Sequence, residues 1–112
     1  MDKKHTTEWL TNQAVMGLNQ NGFFVHRQNN VGVYDKKTDS YRFNGMRGVP
    51  DIIGFDLAKG RFVGVEIKTG SDRIRPDQQK YLDRIKAAGG LALVVRSTDD
   101  LKFLLEPGAA DW

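Results

Sequence analysis

The sequence predicts an α/β fold, a central mixed β-sheet with helices packed against it, and three observations lead there. The chain opens on a segment whose apolar residues recur at helical spacing. In its middle, "PDIIGFD" (50–56) and "RFVGVEIKT" (61–69) are two strand-like runs separated only by "LAKG", which should pair them as an antiparallel hairpin. A proline-led helical segment then runs into "LALVVRS" (91–97), a continuous apolar stretch that reads as a strand buried on both faces. The order α-β-(β)-β-β-α-β-α is met most simply by helices layered on a mixed sheet.

Each element has a local reason. Over residues 6–20, Leu10, Ala14, Gly17 and Leu18 share one helical face, Thr6 or Thr7 can cap the start, and Asn21-Gly22 supplies a stop. "GFFVHRQN" (22–29) follows as a strand, and the polar, glycine-dotted stretch 32–47 reads as a strand or loop excursion. Pro76 suits a first helical turn, where its missing N–H costs nothing, and the helix 76–88 turns Tyr81, Leu82 and Ile85 inward before Gly89-Gly90. Thr98 or Asp99 is placed to cap a last short helix carrying Leu101, Phe103, Leu104 and Leu105.

With 112 residues, the chain is expected to form one domain, 1–112, able to bury about two-thirds of its unfolded surface. A net charge of +3 is compatible with a nucleic-acid partner without demonstrating one. There is no cysteine, which removes disulfides and thiolate chemistry. "MDKKHTTEW" lacks the apolar stretch of a signal peptide and no run approaches a membrane span, so a cytoplasmic location is expected. Neither a Gly-x-Ser-x-Gly elbow nor a phosphate-binding Gly-Lys-Ser/Thr loop is present, and His5 and His26 are too isolated for a zinc site.

The chemistry concentrates on "VGVEIKTG" (63–70). Alternation puts Val63, Val65 and Ile67 on one face, and Phe62, Gly64, Glu66 and Lys68 on the other. If the hairpin pairs across "LAKG", Asp51 lies level with the Glu66–Lys68 end, so two carboxylates and an ammonium converge there. Such a trio can serve phosphodiester hydrolysis, because Mg²⁺ is a hard cation held by one or two carboxylates plus a substrate phosphate oxygen. Lys68 could orient a water or offset transition-state charge, and the Ile67 carbonyl offers another oxygen. By itself an acid-x-Lys pair also reads as a surface ion pair.

"GVPDIIGF" followed by "GVEIKTG" resembles the P-D…(D/E)-x-K nuclease signature. The continuation "IRPDQQKYLDRIKAAGGLALVVRS" is similar to the VRR-NUC (virus-type replication-repair nuclease) branch of the PD-(D/E)XK superfamily. The resemblance runs from about Thr7 to Asp100 and implies a restriction-endonuclease-like core. It implies Asp51 and Glu66 as metal ligands with the Ile67 carbonyl, Lys68 as the catalytic lysine, and Gln78 (or its neighbour Gln79) supporting the lysine or the attacking water. Glu8, in the first helix, would be a further metal ligand. One departure is Arg75, where the family commonly has a capping Ser or Thr.

Arg27, Arg47, Arg73 and Arg75 are the candidate phosphate contacts, which would position DNA without reading its sequence. Gly45 and Gly48 would permit close backbone approach, and Tyr34, Tyr41 and Phe43 are aromatic candidates for stacking or packing. The expected function is a Mg²⁺- or Mn²⁺-dependent endonuclease acting on DNA, with a preference for branched or Holliday-junction DNA and a C₂ homodimer. The alternatives are a non-catalytic DNA-binding module on the same fold and an interaction protein with a chance acid-x-Lys strand.

Overall fold

Thr6 opens the first helix: its hydroxyl accepts from the Trp9 N–H at 3.1 Å, satisfying an amide that the first turn leaves orphaned. In the computed structural model, which describes residues 6–28, 33–42 and 46–105, helix α1 spans Thr7–Asn19 and buries Leu10, Thr11, Ala14 and Leu18. Gly17, expected on that face, is only half-buried. At the far end the Asn19 side chain accepts from the Val25 N–H and donates to the Val25 carbonyl, at 2.9 and 3.0 Å. Helix and first strand are thereby stapled together.

Strand β1 (Phe23–Arg27) leads into an antiparallel hairpin of β2 (Val33–Asp35) and β3 (Ser40–Arg42), within the stretch expected to be strand or loop. The main sheet continues with β4 (Ile52–Asp56) and β5 (Phe62–Ile67), then helix α2 (Pro76–Ala87) and β6 (Leu91–Val95). Its order is β1-β4-β5-β6, with β4 antiparallel to both neighbours and β6 parallel to β5. The mixed sheet expected from the sequence is therefore present, and the 57–60 turn does join an antiparallel pair.

Asp56 holds that turn. It is fully buried, yet its carboxylate accepts from the Lys59 N–H at 2.6 Å and from both the Arg61 N–H and Nε at 2.9 Å. Burial would raise its pKa, but these bonds and the Arg61 charge outweigh it and hold the group below the ordinary carboxylate value.

Helices pack on both sides of the sheet, α2 over β5 and β6. On the α1 face, Leu10, Ala14 and Leu18 pack with Phe23, Val25, Ile52, Val63, Val65, Ile67, Val95 and Leu101. On the other face α2 lays Leu82 and Ile85 over Ala92. The helix can come this close because Gly64 lacks a side chain: a Cβ there would fall 2.5 Å from Ile85 Cδ1.

β6 is covered on both faces as expected, Val95 on the α1 side and Ala92 on the α2 side, although it lies at the sheet edge and Leu91, Leu93 and Val94 remain half-buried. One expectation needs correction. The last helix is a 3₁₀ segment, Thr98–Leu105, and its leading acceptor is Asp100, which takes the Arg96 and Ser97 N–H groups at 2.8 and 3.3 Å. No helix among the described residues is long and apolar enough to cross a membrane.

Candidate active site

The hairpin register brings the acids together. Ile52 pairs with Val65, so Asp51, one residue before β4, stands level with Glu66. Asp51 is fixed twice: its carbonyl accepts from the Gln28 N–H at 2.7 Å, and its Oδ2 accepts from the Ile67 N–H at 2.8 Å. That second bond places Ile67, the expected carbonyl donor, directly beside the Asp51 carboxylate.

Strand alternation turns Glu66 away from the α1 core and under the start of α2, where it is 1% exposed. Its Oε1 accepts from Gln78 Nε2 at 3.3 Å, while its Oε2 is buried with no hydrogen-bond partner. An ionised carboxylate in that position is costly. Burial first, and then the adjacent Asp51 carboxylate, push the Glu66 pKa up to about 8, against the opposing pull of Lys68 and Arg75. Lys68 follows one residue past β5, is itself buried, and continues the parallel ladder through its N–H to the Val95 carbonyl at 3.0 Å.

Gln78 is oriented by the end of the helix it sits on. Its Oε1 accepts the Arg75 N–H at 2.9 Å, which commits its NH₂ group to Glu66. The Gln78 N–H in turn donates to Asp77 Oδ1 at 2.9 Å. The capping Ser or Thr replaced by Arg75 is thus compensated by Gln78 and Asp77, and the helix start is well defined. The neighbouring Gln79 points elsewhere, donating to Asp83 at 2.8 Å on the exposed side.

A cavity of about 320 Å³ opens beside this cluster, lined among others by Arg47, Gly48, Asp51, Arg75, Asp77 and Gln78. Gly48 has φ +81°, and a Cβ there would lie 2.4 Å from the Asp77 carbonyl oxygen. The segment before β4 therefore rides against the first turn of α2, so the close approach at Gly48 is to that helix rather than to the strand expected from the sequence. Gly45 lies outside the described residues.

The remaining expected site residues are distributed differently. Glu8 is largely exposed and engages Arg27 in a two-pronged ion pair, Oε1 to NH1 at 2.9 Å and Oε2 to NH2 at 3.3 Å. Among the described residues no three acids, histidines or cysteines converge as a metal site, so the structure brings Asp51 and Glu66 together but does not add Glu8 to them. Nearby, the Thr7 and Thr69 hydroxyls are hydrogen-bonded at 2.7 Å, tying α1 to the segment after Lys68. Arg47 and Arg75 line the cavity, Arg27 does not, and Arg73 is exposed between β5 and α2. His26 is exposed, with Nδ1 2.9 Å from the Arg27 carbonyl. Tyr34 and Tyr41 are cross-strand neighbours in the β2–β3 hairpin, and His5 and Phe43 lie outside the described residues. Sequence reasoning overlooked Asp77 and Asp56. An acid in a first helical turn and an Asp heading a tight turn were the available signals.

The donor set suits a small divalent cation. Two carboxylates, one with an unsatisfied buried oxygen, are what Mg²⁺ takes from a protein when substrate and water complete its shell.

Comparison with known proteins gives a family and a fold. The VRR-NUC domain family matches residues 26–99. A solved structure described as a VRR_NUC domain protein superposes with a TM-score of 0.51 over 87% of this chain and 90% of that chain, at 15% sequence identity. No curated protein matches. With its mixed sheet, its Asp51/Glu66/Lys68 cluster and a family match across most of its length, the chain belongs to the VRR-NUC nuclease family.

Proposed function

We propose that the protein is a Mg²⁺- or Mn²⁺-dependent endonuclease that hydrolyses DNA phosphodiester bonds. The observation that carries this reading is the buried Glu66 with its orphan oxygen, level with the half-buried Asp51 and beside the buried Lys68. A divalent ion held by these carboxylates and the Ile67 carbonyl would supply Lewis acidity at the phosphate and lower the pKa of water. Asp51 is held in place by the Ile67 N–H, and Gln78 holds Glu66. Lys68 stabilises the charge that builds on the phosphate oxygens. Arg47 and Arg75, at the cavity wall, hold the flanking phosphates, and Arg73, exposed two residues before Arg75, is a further phosphate contact. The 3′-oxygen leaves and the product carries a 5′-phosphate. Glu8 contributes a ligand only if its pairing with Arg27 gives way.

Structure selectivity and dimerisation belong to the same proposal. Phe24 and Phe55 are 57% and 42% exposed with rings 5.5 Å apart, an apolar patch on a sheet face that suits a second copy of the chain. A C₂ pair would present two sites to the two strands of a branched or Holliday-junction DNA.

The test is to incubate labelled junction, flap and duplex DNA with Mg²⁺ or Mn²⁺. Cleavage should require the metal and fall at least ~100-fold in Asp51→Ala and Lys68→Ala. A decayed DNA-binding module would bind without cutting, and undiminished cutting by those variants would place the chemistry elsewhere. Equal rates on plain duplex and four-way junctions would remove the junction preference.

A further inference from the structure

A second cavity, of about 730 Å³, is distinct from the one at the carboxylates. It runs along α2, where Asp77, Tyr81, Arg84 and Ala88 recur at three- and four-residue steps on a single helical face, with Lys80 beside Tyr81. From Asp77 to the Gly89–Gly90 turn that face is roughly 18 Å long at the helical rise. The opposite wall is Met46 and Arg47 from the segment before β4, and Arg61 and Phe62 from the start of β5. Arg47 and Asp77 also line the active-site cavity, so the two spaces adjoin at the N-terminal end of α2.

The chemistry of this groove is specific. Four cations face one acid, and although Arg61 is tied to Asp56, Lys80 and Arg84 form no side-chain ion pair or hydrogen bond with the described residues. Between the charges lie apolar surfaces: Met46 is 64% and Phe62 39% exposed, and Tyr81 is half-buried. A cationic rim over an aromatic floor matches a chain of phosphates with its bases unstacked from a partner strand. A blunt duplex hides its base faces and would leave the floor against water.

We propose that the α2 groove binds a single-stranded segment of the nucleic-acid substrate, phosphates on Lys80 and Arg84 and bases on Tyr81 and Phe62, continuing outward from the active-site cavity. The direction of the strand relative to the site rests on the nuclease reading; the binding itself does not, and it can be measured without cleavage.

Fluorescence anisotropy in EDTA with a labelled oligothymidine of about 12 nucleotides, and with a blunt duplex of equal length, makes the test. Lys80→Glu combined with Arg84→Glu should weaken oligothymidine binding by at least ~10-fold, and Phe62→Ala by roughly 5-fold, leaving duplex binding within about twofold. Lys80 and Arg84 are exposed and Phe62 is partly so, and circular dichroism verifies the fold of each variant. Lys86→Glu, a charge reversal outside the groove, should change neither. An equal loss on both ligands, no loss on either, or the same loss from Lys86→Glu would overturn the proposal. The nuclease reading is scored apart, on cleavage with Mg²⁺ or Mn²⁺. A protein that never cuts yet binds oligothymidine through this groove loses only that reading. One that cuts while its oligothymidine binding ignores these residues loses only the groove.

Discussion

Glu66 is the residue on which the chemistry and the stability of the protein meet. Its folded pKa of about 8 lies above the ordinary 4.5, so the folded chain retains a proton that the unfolded chain releases. The stability linked to that proton is complete below about pH 4.5 and declines as pH rises, until Glu66 ionises near 8. Thermal unfolding in EDTA should therefore show wild type losing roughly 1.4 kcal/mol for each pH unit crossed in that window, with Glu66→Gln nearly flat. A cation that requires the ionised pair must displace the proton, so Mn²⁺ affinity by calorimetry should rise with pH by up to about tenfold per unit across the same interval. A pH-independent affinity would mean that Glu66 is not a ligand. Neither the burial nor the orphan oxygen was legible in "VGVEIKTG". The alternation that pairs Glu66 with Lys68 was, but its depth depends on α2 arriving above it.

Among the elements, the start of α2 does more than its sequence announces. Gln78 connects the helix terminus to Glu66, so Gln78→Ala leaves both the Arg75 N–H and Glu66 Oε1 without a partner. Denaturant titration should find a loss of about 1–3 kcal/mol, and cleavage should fall as well. Gly48→Ala should cost a similar ~1–3 kcal/mol and slow cleavage, because it combines a positive φ with a clash against the Asp77 carbonyl. Equal stability of Gly48→Ala and wild type would show that the segment can move off α2 freely. The β4–β5 hairpin was readable because a short turn between two strand-like runs leaves few pairings. The Asp56 bonds that hold its turn were not, since they depend on which amides the turn aims inward.

For the molecule as a whole, charge and shape carry the remaining expectations. If Arg47, Arg73 and Arg75 hold phosphates, the logarithm of DNA affinity should fall linearly with the logarithm of salt, and each substitution to Ala should lower the slope by about 1. A slope unchanged by all three would remove them from the interface. Sedimentation equilibrium should return twice the chain mass, with Phe24→Ser combined with Phe55→Ser shifting it toward a monomer; a wild-type monomer would end the dimer proposal.

The sequence by itself determined the order of the main-sheet strands and their two helices, the mixed sheet, the register that levels Asp51 with Glu66, and membership of a nuclease family. These follow from local periodicity, turn length and motif order, all properties of neighbouring residues. Tertiary structure decided the rest: Glu8 pairs with Arg27, β6 lies at an edge, Gln78 is committed to Glu66, and a cationic groove forms along α2. Each joins segments far apart in the chain, and which partners meet is settled by packing, where burial and unsatisfied hydrogen bonds set the free energy.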